Sequence, residues 1–107
     1  AIYKWIMKTC AAVYLLSSNA TLWQRIRPAV KPGQIIFDAV KPGNASVKEY
    51  TIYRAAKGIY HGRLGAAADE LADEELVGDD TLLMILNAAL IARFGPKVME
   101  IGRGNGV

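Results

Sequence analysis

The segment Leu82 to Ala92 constrains this chain more than any other, because in that run only Asn87 is not apolar. Asp79 and Asp80 stand before it as capping residues and Gly95-Pro96 stands behind it as a terminator, so the pattern predicts a helix from Asp79 or Asp80 to Phe94. A helix that is apolar around its whole circumference has no face suited to water, so it belongs at the centre of a fold or between subunits. A chain of 107 residues leaves a large share of itself at the surface. Its composition sharpens the problem: 52% is hydrophobic and 21% charged, slightly below the usual quarter. Some apolar surface is therefore expected to meet another copy or a partner, and a homo-oligomer is the expectation.

The other end of the chain also reads as helix. Residues 2 to 17 contain neither Pro nor Gly, with Lys4 and Lys8 on one face and Ile6, Cys10, Val13 and Leu15 or Leu16 on another, which predicts an amphipathic helix. Thr21-Leu-Trp-Gln24 has the spacing of a capping box and Pro28 forbids continuation, so a short helix is expected over 22 to 27, with Trp23 an anchor in the core or an interface.

The middle changes character. Ala29-Val-Lys-Pro-Gly33 recurs as Ala39-Val-Lys-Pro-Gly43, and Pro-Gly suits the centre of a type II turn because Pro presets its torsion and Gly accepts positive φ. This predicts a strand at 34 to 40, an antiparallel strand near 46 to 55 and a short third strand at 58 to 61. Helix returns over 66 to 76, where Asp69 with Asp73 and Glu70 with Glu74 keep one face in water. A last strand is expected over 97 to 101 before the glycine-rich tail 102 to 106. The expected class is α+β: one domain over 1–107, its small antiparallel sheet packed by an N-terminal amphipathic helix and an apolar C-terminal helix.

Charge is sorted along this chain. Residues 1 to 63 hold ten Lys/Arg against Asp38 and Glu49, a balance of +8, whereas residues 64 to 107 hold Arg93, Lys97 and Arg103 against eight acids, a balance of −5. Such polarity can collect polyanions or drive self-association. Lys48, Tyr50, Tyr53, Arg54, Lys57, Tyr60, His61 and Arg63 interleave cations with aromatics, and Arg25, Arg27, Lys31 and Lys41 lie just upstream. Cations release counterions from phosphates and exposed tyrosines stack on unpaired bases, so these residues form the candidate surface for nonspecific nucleic-acid binding. The alternative is a solvated face whose tyrosines pack inward.

Cys10 and His61 are each the sole residue of their type, which excludes an internal disulfide and paired-Cys or paired-His zinc motifs. Cys10 is expected as a small apolar helix residue and His61 at a surface or turn. Lys4 and Lys8, then 10 to 16, then Ser18-Asn-Ala20 imitate a secretory signal. The chain opens on Ala1, as a processed end would, and the expected location is the cytoplasm. Asn19-Ala-Thr and Asn44-Ala-Ser would be glycosylation acceptors only in a secreted protein. No apolar run reaches the roughly 18 to 20 residues that span a bilayer. Ser17, Ser18 and Ser46 have no catalytic motif context, and the carboxylates of 69 to 80 read as a solvated face, so neither a catalytic residue, a metal site nor a cofactor is expected.

One motif stands apart. Val98-Met-Glu-Ile-Gly-Arg-Gly-Asn-Gly106 resembles the first motif of class I S-adenosylmethionine methyltransferases, where a strand meets an acid and alternating glycines that admit the cofactor to the backbone. The resemblance covers about ten residues and would place Glu100, Gly102, Gly104 and Gly106 at the cofactor. That family has a further helix, a second strand with a ribose-binding acid and the catalytic strands after this point. Residues 80 to 104, as helix, strand and Gly102-Arg-Gly104 loop, are similar to part of Alba-type nucleic-acid-binding proteins, whose order would have to be permuted to fit. The functional expectation is a noncatalytic, self-associating structural or nucleic-acid-associated protein. A methyltransferase-like fragment and a protein-protein adaptor are the alternatives.

Overall fold

Good helix formers run unbroken through residues 2 to 17, and Ile2–Ser17 forms the first helix, α1. The structure, a computed structural model, describes residues 2–39, 43, 45–62 and 68–95. The buried face of α1 carries Met7, Ala11, Ala12, Leu15 and Leu16. Ile6 is exposed while Cys10 and Val13 are half-buried, so the apolar face is rotated from the one expected. The four alanine and leucine positions win because small and large side chains at this spacing let two neighbouring helices approach on adjacent sides.

The second helix, α2, spans Ala20–Ile26 and starts two residues earlier than Thr21 suggested, because the Asn19 side chain caps it by accepting the Leu22 N–H at 2.9 Å. Pro28 then fits a 3₁₀ turn, Arg27–Ala29, where its missing N–H costs little. The first Pro-Gly pair closes a hairpin: β1 (Val30–Lys31) pairs antiparallel with β2 (Gln34–Ile35), Val30 facing Ile35 and Lys31 facing Gln34. Gly33 has φ +76, as the turn requires. Ile35 and Phe37 are buried, and a 3₁₀ turn covers Phe37–Ala39.

The expected strands at 46 to 55 and 58 to 61 are one helix instead, α3 (Val47–His61). Ser46 caps it by accepting the Glu49 N–H at 3.1 Å, and Gly62 ends it in the left-handed conformation at φ +72. The β-favouring run Tyr50-Thr-Ile-Tyr53 yields because Ile52, Ala55 and Ala56 recur at helical spacing and bury one face. The strand expected to cover 34 to 40 is accordingly short, since its partner is Val30–Lys31 rather than the segment after residue 46.

Of the expected helix 66 to 76, residues 66 and 67 lie outside the described residues, Ala68–Ala72 is helical, α4, and turns over 73 to 77 bury Val77. The last helix among the described residues, α5 (Asp79–Phe94), has the expected extent, but its N-cap is Gly78. Asp79 and Asp80 occupy the first turn, where carboxylates suit the helix dipole. Gly95, at φ +91, ends it. The strand expected over 97 to 101 and the tail 102 to 106 lie outside the described residues, as does most of the second Lys-Pro-Gly turn, of which Gly43 has φ +61.

The class is α+β, a small two-stranded antiparallel sheet packed by helices. Helix α1 is central, packing along α5 on one side and α3 on the other, with Leu15, Leu16, Leu22, Ile26 and Ile52 fully buried. Asn87, the one polar residue in its run, is accounted for here: its amide donates to the Tyr14 hydroxyl at 3.2 Å, and that hydroxyl donates to Met84 Sδ at 3.1 Å. No helix among the described residues is long and apolar enough to cross a membrane.

Candidate interaction surface

The cation-aromatic constellation falls on α3, and helical geometry divides it. Tyr50, Arg54, Lys57 and His61 recur at i, i+4, i+7 and i+11 and share one face, while Tyr53 and Tyr60 turn toward the core. Tyr53 is 7% exposed, packs edge-on against Phe37 at 5.7 Å and donates its hydroxyl to the Phe37 carbonyl at 3.2 Å. Burial pushes its phenol above the ordinary range. Tyr60 packs against Phe37 at 5.5 Å, and its hydroxyl accepts the Ile35 N–H at 3.1 Å, which ties the hairpin to α3. Both tyrosines are structural. Only Tyr50, at 50% exposure and with the Arg54 guanidinium 5.9 Å from its ring centroid, presents an open ring face from this set.

The cations of α3 each meet an acid. Lys48 pairs with Asp80 at 2.8 Å, Arg54 with Glu70 at 3.0 Å and Lys57 with Asp38 at 3.2 Å. Two of these pairs join the basic first part of the chain to its acidic second part, so the polarity written along the sequence is partly discharged within the fold. The Lys48 hydrogen bond, helped by the Thr81 N–H, holds the Asp80 carboxyl below its usual range. Arg25, Arg27 and Lys31 are exposed on α2, the 3₁₀ turn and β1. Lys41 and Arg63, and the methyltransferase-like Glu100, Gly102, Gly104 and Gly106 with Arg103, lie outside the described residues.

His61 is exposed at the end of α3, with its ring 5.2 Å from that of Tyr60, and Cys10 is a half-buried free thiol. One Glu49 carboxylate oxygen is buried without a hydrogen-bond partner among the described residues. No group of three or more His, Cys, Asp or Glu converges as a metal site among those residues.

Two features emerge that residue-by-residue reading of the middle of the chain did not isolate. The first is on α5. Thr81, Ile85, Ala88 and Ile91 are buried, yet Leu83, Leu86, Leu90 and Phe94 are 60%, 47%, 42% and 59% exposed. Positions i, i+3, i+7 and i+11 fall within an arc of about 80° at 3.6 residues per turn, so these side chains form one apolar stripe opposite the buried face. The signal was present in the sequence as apolar residues on every side of this helix, but only the packing tells which side is left uncovered. The second feature joins the two ends of the described chain. Lys4 and Lys8 of α1 and Ala92, Arg93 and Phe94 of α5 line an open surface pocket of about 470 Å³. Those three cations have no acidic partner among the described residues.

No protein-family model, curated protein or solved structure matches this chain.

Proposed function

We propose that this protein is noncatalytic and works by associating with copies of itself, α5 supplying the contact. The observation that carries the reading is the exposed stripe Leu83, Leu86, Leu90 and Phe94 on a helix that is already buried on its other side. Scattered exposed leucines are ordinary, but four large apolar side chains aligned on one helix face form a contiguous patch of the kind that marks an interaction site. Sedimentation of the full chain over a concentration series tests it. A mass above that of one chain that rises with concentration supports self-association, and a monomer throughout refutes it.

A second reading, weak association with nucleic acid, is favoured by the pocket that gathers Lys4, Lys8 and Arg93 beside the exposed Phe94 ring. Cations crowded together are stabilised when a polyanion sits among them, and an exposed ring offers a stacking face to an unpaired base. Titration of a fluorescent single-stranded oligonucleotide at low salt should then give a dissociation constant of roughly 10⁻⁴ to 10⁻⁶ M that weakens steeply with salt. Replacing Lys4 and Lys8 by Ala should weaken it further, whereas replacing Lys48 and Lys57, already paired with acids, should change it little. The absence of binding at low salt would remove this reading.

A further inference from the structure

We infer that α5 pairs with α5 of a second copy in antiparallel orientation about a twofold axis, a geometry that rests on the self-association proposed above. The stripe is bracketed by opposite charges. Asp79 and Asp80 stand in the first turn of α5 and Arg93 in its last. Between Asp79 and Arg93 lie fourteen steps of about 1.5 Å, or roughly 21 Å of helix, with Leu83, Leu86 and Leu90 in between. At 100° per residue Asp79 falls within the arc of the leucine stripe and Arg93 at its edge, so both border whatever covers it.

A twofold contact uses the same patch on both molecules, so the patch must complement itself. Turned end for end about a point between Leu86 and Leu90, the stripe does so. Leu86 of one copy meets Leu90 of the other, Leu83 lies level with the other copy's Arg93, and that Arg93 stands four residues, or about 6 Å, along the axis from Asp79, within the span of an arginine side chain. The helix dipoles also oppose, so that each positive end lies beside a negative one. A parallel pairing would set acid beside acid and Arg93 beside Arg93. Asp80 is engaged by Lys48 at 2.8 Å, which leaves Asp79 as the principal partner for Arg93. Stable dimers bury about 800 Å² on each partner, more than one helix face of roughly 24 Å offers, so the pairing is a weak and reversible one in the micromolar range or above.

Wild type and four variants of the full chain, studied by sedimentation at low salt, decide the matter, with circular dichroism confirming native helix content in each. Asp79→Arg alone and Arg93→Asp alone should each raise the dimer dissociation constant about tenfold, because the axis repeats every reversed contact. An equimolar mixture of the two single variants should recover wild-type association, as should the double variant Asp79→Arg with Arg93→Asp. Leu86→Asp, at an exposed position that leaves the core intact, should abolish association at every concentration reached. A wild-type chain that associates while Leu86→Asp and both charge variants associate equally well overturns the α5 geometry and leaves self-association standing. Single variants as strong as wild type, with Leu86→Asp defective, overturn the antiparallel orientation. A wild-type chain that stays monomeric overturns both proposals.

Discussion

Replacing Tyr53 by Ala separates a packing residue from a base-stacking one. The ring is 7% exposed, meets Phe37 edge-on and donates a hydrogen bond to the Phe37 carbonyl. Loss of a buried aromatic to Ala typically costs about 3 to 5 kcal/mol, which includes the void left behind. Within that figure the aromatic pair contributes roughly 1 kcal/mol and the hydrogen bond about another 1 kcal/mol. The full loss is a large fraction of the roughly 5 to 15 kcal/mol that holds a domain folded. At about 4 °C or more per kcal/mol, the midpoint of thermal unfolding should drop by roughly 12 °C or more. Tyr53→Phe keeps the ring and should lose only about 1 kcal/mol. Tyr50→Ala, at an exposed ring, should change stability by no more than about 0.5 kcal/mol. Thermal and urea unfolding followed by circular dichroism would rank the three. If Tyr53→Ala costs no more than Tyr50→Ala, the placement of Tyr53 in the core is wrong, and with it the helical reading of residues 47 to 61.

Acid stability should carry a contribution from Asp80, whose carboxyl is held below its ordinary range first by the Lys48 hydrogen bond and then by the Thr81 N–H. A carboxyl depressed in the folded state stabilises it at pH above the unfolded value near ~4 and loses that contribution as pH falls through the lower folded value. Asp80→Asn should therefore flatten the acid limb of a stability-pH profile without altering its shape above neutrality. Gly62→Ala places a side chain at φ +72, and its Cβ would stand 3.1 Å from Lys8 Nζ. It should cost about 1 kcal/mol in urea unfolding, and an unchanged midpoint would show that α3 does not end in the left-handed conformation.

The two long terminal helices were legible because their signals are redundant. Asp79-Asp80, the apolar run and Gly95-Pro96 all bound the same helix, and residues 2 to 17 contain nothing that breaks one. The hairpin turn was legible too, since Pro32-Gly33 demands it, although the turn joins 34 to 35 backward to 30 to 31 rather than forward. The segment 47 to 61 was misread because Tyr, Thr and Ile favour strands wherever packing allows. The contrary signals were present. Ser46-Val-Lys-Glu49 is a capping-box spacing, and Ile52, Ala55, Ala56 and Ile59 recur as one face of a helix. With that error went the flat cation-aromatic face, because a helix sends Tyr53 and Tyr60 inward and sets Arg54 and Lys57 beside acids. The ion pairs themselves were beyond sequence reading. Lys48 and Asp80 are 32 positions apart, and nothing local specifies their meeting.

The packing of α1 along α5 sets a timetable for biosynthesis. Tyr14 and the Met84 sulfur that receives its hydroxyl are 70 positions apart. At translation rates of about 5 to 20 residues per second, roughly 4 to 14 s separate the synthesis of the two. During that interval α2 and α3 can pack on α1 as they leave the ribosome, while the side of α1 that later packs along α5 stays uncovered. The nascent chain is thus exposed to aggregation until α5 arrives, and the entropy of closing that loop must be met before the packing of α1 along α5 returns anything.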